Sequence, residues 1–344
     1  MESARDRPSV GRTPHPARRA PTNAALWAVA FLLLALALLA GRYPEPGFLD
    51  PRILASDELA RTLLLTVRLP RVLAAALLGA VLAASGNAFQ MVFSNPLVEP
   101  GFLGVSQGAA FGAALAMVLG LRHDLAVSGS AFVFALAGLG ASAALARRFR
   151  FGGWVLRLVL AGIAVSAFFS SALAWVKYAA DPLRELPDIA YWTLGGLSGI
   201  GWKRLAAVAP VALASLGVLR AAGWRLSILS LEDAASFSLG ARPGRERALI
   251  LTAAVAGVAA LTAVSGIVSW AGLIVPHAAR LLVGADGRRS MPASIALGAA
   301  FLTVCDAVSR TLLPGELPLG VTTAFLGTAA FTALLLGRAV TVVR

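Results

Sequence analysis

Few side chains in this sequence have the types and spacing that chemistry requires. The three histidines, His15, His123 and His277, form no H-E-x-x-H pattern and no cluster with cysteine. The single cysteine, Cys305, excludes an intramolecular disulfide framework and a cysteine-cluster metal site. His277 and Arg280 could bind an anion, but we favour structural roles for both near the end of a short helix. We therefore expect no catalytic residue, no metal site and no bound cofactor.

Nucleotide phosphates have no recognisable site either. A P-loop needs a lysine followed by serine or threonine, whereas Lys177 precedes Tyr178 and Lys203 precedes Arg204. If the protein performs work that depends on ATP, another subunit must bind the nucleotide.

The elements that carry these residues are apolar enough to lie in a bilayer. The 344 residues are 58% hydrophobic and 14% charged, with a mean hydropathy of +0.79, whereas a soluble domain carries about 25% charged residues. The net charge of +13 does not indicate a nucleic-acid partner, because the basic residues punctuate apolar runs instead of following one surface. The composition predicts an all-α polytopic membrane protein in contact with the lipid bilayer.

Ten apolar runs divide the chain. Residues 1–23 are polar and are predicted to be a disordered cytoplasmic tail, while residues 24–344 form the membrane domain. About twenty apolar residues cross the hydrocarbon core as a helix, so about ten transmembrane helices are expected. The distribution of arginine and lysine between the two sides predicts cytoplasmic N- and C-termini. The predicted spans are 24–40, 72–93, 101–121, 125–146, 156–178, 204–222, 248–264, 272–283, 291–313 and 321–340.

A weak internal repeat accompanies these spans. The spans concerned are five apart and would cross the membrane in opposite directions, which suggests an inverted-topology repeat of the kind found in transporters. The residues that recur 180 positions later are Ser85-Gly86, Pro96 and Gly104, as Ser265-Gly266, Pro276 and Gly284.

Residues 68–108 are the stretch around which the chain is organised. Arg68 and Arg71 precede an uncharged run that ends at Asn95-Pro96-Leu97. Irregular backbone is not tolerated against lipid, so this connector must lie at a membrane face or against a protein-lined cavity. An ordinary turn between two helices is the alternative interpretation.

The charged residues suggest how the protein obtains its energy. The spans are nearly free of ionisable groups, and the exception, Asp306 with Arg310, has the i,i+4 spacing of a pair on one helix face. Ion-coupled carriers often keep such groups in mid-membrane, so their scarcity argues for a partner ATPase. The polar segment from Leu229 to Gly240 predicts a short helix with Ser230 as its N-cap and Gly240 at its end. A solvated interfacial helix is the alternative for this segment.

Several motifs, in order and over about residues 60–340, resemble the FecCD family. They are RLPRVLAAALLGAVLAASG, NPLVEPGFLGVSQGAAFGA, LAGIAVSA, LEDAASFSLGA, GLIVPHAARLLVG and ELPLGVTTAFLG. Members of that family are permease subunits of bacterial ABC importers for iron-siderophores, haem and vitamin B12. The resemblance implies a permease domain of ten transmembrane helices in the inner membrane, a homodimer, two P-loop ATPase subunits and a periplasmic substrate-binding protein.

The resemblance also assigns roles to matched positions. Arg68, Arg71 and Arg310 match periplasmic arginines that pair with glutamates of the binding protein, and an arginine can hold a carboxylate in a bidentate fork. The alternative is that each is a snorkelling arginine at a helix end. Residues 228–243 match the coupling helices that dock on the ATPase. The coupling residues are Ser230, Leu231, Glu232, Asp233, Ala234, Ala235, Leu239 and Gly240.

Matched positions near the gate and the pathway complete the set. Asn95 and Leu97 match a loop of the cytoplasmic gate, and Val155 and Leu156 lie where some relatives carry small hydroxyl residues. Span five and residues 187–201 match the wall of the central pathway at the dimer axis. The predicted lining residues are Ser166, Phe169 and Ser170.

The expected cargo follows from the same resemblance. An iron chelate of the siderophore type is the first expectation, and haem, cobalamin or molybdate remain open. An ion-coupled secondary transporter is the alternative from another class, and a membrane-embedded enzyme is disfavoured because no catalytic cluster is present.

Overall fold

The computed structural model describes residues 22–43, 45, 47–121, 123–313 and 315–336. The predicted tail, residues 1–23, lies outside this range except for its last two residues. All helices, contacts and cavities of the protein are given for these residues.

Ten apolar helices match the ten predicted spans in order and confirm the all-α membrane fold. Six are long and apolar enough to cross a bilayer, and four are shorter apolar helices. The ten are α1 (Asn23–Leu39), α4 (Leu69–Val92), α5 (Val105–Val118), α6 (Asp124–Arg148), α7 (Trp154–Ala179), α9 (Trp202–Ala221), α12 (Pro243–Ser265), α13 (Ala271–Val283), α14 (Gly287–Thr311) and α15 (Leu319–Leu336).

Short elements connect these helices. A two-stranded antiparallel hairpin follows α1 and pairs Ala40 with Phe48. The connecting elements are β1 (Ala40–Gly41), β2 (Gly47–Phe48), α2 (Ile53–Ser56), α3 (Glu58–Thr62), a 3₁₀ turn (Pro100–Leu103), α8 (Glu185–Leu194), α10 (Gly223–Leu229) and α11 (Asp233–Ser238).

Helix α4 is the central element of the fold, as the sequence suggested. It packs against α9, α12, α13 and α14. In the continuous helix Glu58–Val92, 89% of the 18-residue apolar stretch is buried. Two crossings depend on glycine, because a Cβ on Gly79 would lie 2.0 Å from the carbonyl oxygen of Gly298, and one on Gly86 would lie 1.9 Å from that of Gly272. Small residues permit such backbone approach between helices in a membrane.

The second span begins earlier than predicted. The predicted span begins at residue 72, but helix continues without a break from Glu58 through a π-helical stretch, Leu63–Arg68, into α4. The amide of Leu69 donates to the carbonyl of Leu64, and Pro70 has no N–H with which to continue that bonding pattern. Arg68 and Arg71 therefore lie within a helix and not at its start.

The residues that recur at a spacing of 180 lie in or beside the expected pairs of spans, but at different points along them. Gly86 lies inside α4, whereas Gly266 follows the end of α12, and Gly104 precedes α5 whereas Gly284 follows α13. These coincidences of sequence therefore do not mark corresponding positions.

Candidate functional site

The C-terminal end of α4 and the N-terminal ends of α7 and α12 meet at one end of the bundle. We call this the coupling end, and the opposite end, which carries β1 and β2, the hairpin end. The coupling segment, residues 228–243, and the gate loop, residues 94–99, both lie at the coupling end, where the Ser94 hydroxyl donates to the carbonyl of Ser230 at 3.2 Å.

The coupling segment contains the predicted short helix, with a different start. The N-cap of α11 is Glu232, and it makes no side-chain capping bond. The prediction that Ser230 caps this helix is wrong, because its hydroxyl donates to the carbonyl of Ser227 at the end of α10. The predicted end is confirmed: Gly240 has φ +77, and the amide of Ala241 donates back to the carbonyl of Ser236.

One side of α11 is fixed to the bundle and the other is open. The buried Ser236 hydroxyl donates to the carbonyl of Ile228 at 2.8 Å. Phe237 is 71% exposed and Leu239 is 59% exposed. Glu232 and Asp233 are exposed beside them. An apolar surface with an acidic border therefore projects from the coupling end. The other predicted coupling residues, Leu231, Ala234, Ala235 and Gly240, are also exposed.

Arg247 fastens the coupling segment to α12, and the sequence reading missed this role. Its guanidinium contacts the Asp233 carboxylate at 2.5 Å and donates to the carbonyl of Leu229 at 2.9 Å. The same group lies over the ring of Trp154, 5.3 Å from its centroid. The sequence feature that could have indicated this role is an arginine beside the start of an apolar run, fourteen residues after the acidic Asp233.

The gate loop is joined to the same tryptophan. The ring of Phe93, at the end of α4, lies 5.6 Å from that of Trp154. Within the loop, the Asn95 side-chain oxygen accepts from the amide of Leu97 at 2.9 Å, which is an Asx turn. Leu97 is 56% exposed. Arg247, Trp154 and Phe93 thus form a packed connection between the coupling segment and the gate loop.

The other two gate residues begin α7. Val155 is half-buried against the core, and Leu156 is 48% exposed. The structure brings the start of α7 to the gate loop through Trp154, and a gating role for Asn95, Leu97, Val155 and Leu156 stays a prediction.

The predicted pathway residues lie on one side of α7, as their i, i+3, i+4 spacing requires, but they differ in exposure. Ser170 is exposed, and Ser166 is partly exposed and donates to the carbonyl of Phe102. Phe169 points into the chain, where it is 7% exposed and lies 5.7 Å from the ring of Phe111. A pathway role for Ser166, Phe169 and Ser170 stays a prediction.

The three arginines predicted to meet a binding protein lie together at the hairpin end, and all are bonded within the chain. Arg71 contacts Asp306 at 2.9 Å and Glu316 at 2.7 Å. Arg310 contacts the other oxygen of Asp306 at 3.1 Å and donates to the carbonyls of Ala37 and Ala40. Arg68 donates to the carbonyls of Leu39 and Tyr43. Glu316, which the sequence reading missed, keeps 40% of its side chain exposed.

Arg280 belongs to a polar network inside the bundle. It donates to the side-chain oxygens of Asn87, at 3.1 Å, and Gln90. The Asn87 amide donates onward to Ser290. These contacts support the structural role that we favoured for Arg280 over an anion site with His277.

Comparisons with known proteins agree with this architecture. The model of the FecCD transport family matches residues 27–337. A probable iron chelatin transport system permease protein of Helicobacter pylori is 40% identical over 79% of this chain and 82% of its own length. The molybdate import system permease protein MolB of Haemophilus influenzae is 33% identical over 90% of this chain and 94% of its own.

A solved structure has the same fold. It is described as an inward-facing conformation of a metal-chelate type ABC transporter, and it is 31% identical in sequence. The two superpose with a TM-score of 0.85 over 92% of this chain and 98% of the other.

Proposed function

The chain belongs to the FecCD transport family and is the permease subunit of an ABC importer, not an enzyme, and we propose that its cargo is an iron chelate of the siderophore type. The 40% identity to the Helicobacter pylori iron chelatin permease carries this proposal. The exposed face of α7 also fits, since Ser170, Phe168 and Trp175 offer hydroxyl and aromatic surface to a large chelate without a metal ligand. Molybdate is the second candidate, because MolB matches over more of the chain.

Uptake by the assembled importer tests the cargo. The chain, its ATPase and its binding protein are placed in liposomes and offered radiolabelled ferric siderophore, haemin, cyanocobalamin or molybdate. We expect ATP-dependent accumulation of the siderophore alone. Accumulation of molybdate instead would transfer the proposal to the second candidate, and uptake without ATP would refute ATPase coupling.

An ATPase and a substrate-binding protein are the partners of an importer of this class, and we propose two ATPase copies on a homodimer of this chain. Mild purification from native membranes, followed by native mass spectrometry, measures the copy numbers. We expect two copies each of permease and ATPase. A second, different permease chain in the complex would replace the homodimer with a heterodimer.

The apolar surface of α11 is the proposed contact with the ATPase. Glu232→Lys and Phe237→Ser change exposed groups that make no side-chain bond in the described part of the chain, so they should disturb docking and not folding. We expect ATPase activity that substrate-loaded binding protein no longer stimulates. Arg245→Ser, at an exposed position in α12 outside the coupling segment, is the control. Full stimulation of ATPase activity in both the Glu232→Lys and Phe237→Ser variants would contradict the proposed contact.

Docking of the binding protein at the hairpin end remains a proposal for Arg68, Arg71 and Arg310. A carboxylate of the binding protein would have to approach Arg71 beside Glu316 or replace it. Charge reversal of the three arginines should weaken docking, and the melting temperature must be measured alongside because all three hold the fold. Arg52→Glu, an exposed position in the connector at this end, is the control. Unchanged docking in a folded triple variant would defeat the assignment.

The membrane is the location of this multi-pass permease, and we propose the bacterial inner membrane with both termini and the coupling end in the cytoplasm. The start of α1 lies near Arg220 and Arg288 at the coupling end, which supports a cytoplasmic N-terminus. The native Cys305 is fully buried, so a cysteine introduced within residues 1–21 can be labelled selectively. Labelling of that cysteine by an impermeant reagent in intact spheroplasts would place the N-terminus outside and contradict the proposed orientation.

A further inference from the structure

A cavity of about 520 Å³ opens between the ends of α6, α7 and α12 at the coupling end. Its inner wall is apolar and includes Leu139, Leu158 and Leu251. Its mouth is exposed at Arg147, Ala248 and Thr252. The cavity therefore has an apolar interior and a polar rim, where three transmembrane helices reach the membrane surface.

Three arginines line this cavity against one carboxylate. Arg147, Arg157 and Arg247 face Asp233, which is already paired with Arg247. Arg147 is exposed at the mouth and Arg247 is paired, which leaves the half-buried Arg157 without an acidic partner among the described residues. A half-buried charge without a counter-charge is costly, and a negatively charged ligand would remove that cost.

Two of these guanidinium groups have unused donors. The Nε atoms of Arg157 and Arg247 are buried and have no hydrogen-bond partner among the described residues. Arg247 is only 6% exposed, and Arg157 is held by one bond, from Nη1 to the carbonyl of Phe149 at 3.1 Å. Buried polar groups are normally bonded, so both guanidinium groups are incompletely bonded where their side chains line the cavity.

We propose that this cavity binds an anionic phospholipid, with its phosphate on Arg147, Arg157 and Arg247 and an acyl chain along Leu139, Leu158 and Leu251. The positive charge of the arginines fits a phosphate diester, and the apolar wall fits an acyl chain. A free anion would leave that apolar wall uncovered. Basic pockets between transmembrane helices bind anionic headgroups in this way. The inference rests on the proposed function only in placing this end at the cytoplasmic leaflet.

Lipid binding can be measured without cargo or ATP, so its failure leaves the importer proposal untouched. The full-length chain is purified in detergent with its associated subunits and titrated with dioleoylphosphatidylglycerol or dioleoylphosphatidylcholine in native mass spectrometry. The test variant is Arg147→Gln with Arg157→Gln. The control is Arg148→Gln with Arg150→Gln, which removes the same charge from exposed neighbours that do not line the cavity.

We expect phosphatidylglycerol to bind in preference to phosphatidylcholine, and the test variant to bind it about thirtyfold more weakly, from the usual contribution of two interfacial arginines. The control should bind like the unmodified chain. Equal affinity in test and control variants would overturn the proposal. Displacement of the lipid by inorganic phosphate at the same concentration would also overturn it, because the site would then select a free anion.

Discussion

Replacing Arg247 by methionine should release the coupling segment from the bundle. The change leaves the buried carbonyl of Leu229 without its donor, which costs about 1–3 kcal/mol. The Asp233 contact adds at most about 1 kcal/mol, since that carboxylate is 65% exposed. Loss of the cation over Trp154 adds about 0.5–1 kcal/mol. Together these effects come to about 3 kcal/mol, or roughly a hundredfold shift toward local opening.

Amide hydrogen exchange measures this shift directly, because local opening sets the exchange rate of a protected segment. In the Arg247→Met variant, the hydrogen-bonded amides of residues 236–241 should exchange roughly a hundredfold faster while those of α4 stay protected. Arg245→Met, at an exposed position two residues earlier in α12, is the control and should change nothing. Exchange within about twofold of the unmodified chain would refute the reasoning, since the contacts of Arg247 would then contribute almost no stability to the coupling segment.

Two further predictions concern stability. Gly79→Ala should lower the stability of the bundle by about 2–3 kcal/mol, because its Cβ would meet the Gly298 carbonyl at 2.0 Å; thermal unfolding checks this against Gly129→Ala, where the space is open. Asp57 caps α3 by accepting from the amides of Ala60 and Leu59, and these bonds lower the pKa of its carboxyl. The cap is therefore present above the ordinary carboxyl pKa and is lost as the pH falls through the lowered pKa of the folded state, so the effect of Asp57→Ala on the exchange of the α3 amides should be full at neutral pH and should shrink as the pH falls below about 4.

The helices were predictable because apolar length and Pro/Gly punctuation are local properties of the sequence. The side-chain partners were not. Arg71 and Asp306 are 235 residues apart, and no periodicity connects them. The burial of Phe169 was unpredictable for another reason. Helix α7 is apolar on every side, so hydropathy cannot distinguish a face that meets lipid or a partner from one that packs inside.

The buried arginines have different partners at the two ends of the bundle. At the hairpin end, Arg71 and Arg310 both donate to the carboxylate of Asp306. Arg71 also donates to Glu316, and Arg310 also donates to a backbone carbonyl. A binding-protein carboxylate that docks there must therefore compete with bonds already made, which favours an exchange with the half-exposed Glu316 over simple addition. At the coupling end, Arg247 is paired with Asp233, and the buried Nε atoms of Arg157 and Arg247 have no hydrogen-bond partner among the described residues. A lipid phosphate in the cavity would meet guanidinium groups that are not fully bonded, and because Arg247 also holds the coupling segment, occupancy of the cavity would bear on the contacts that position α11.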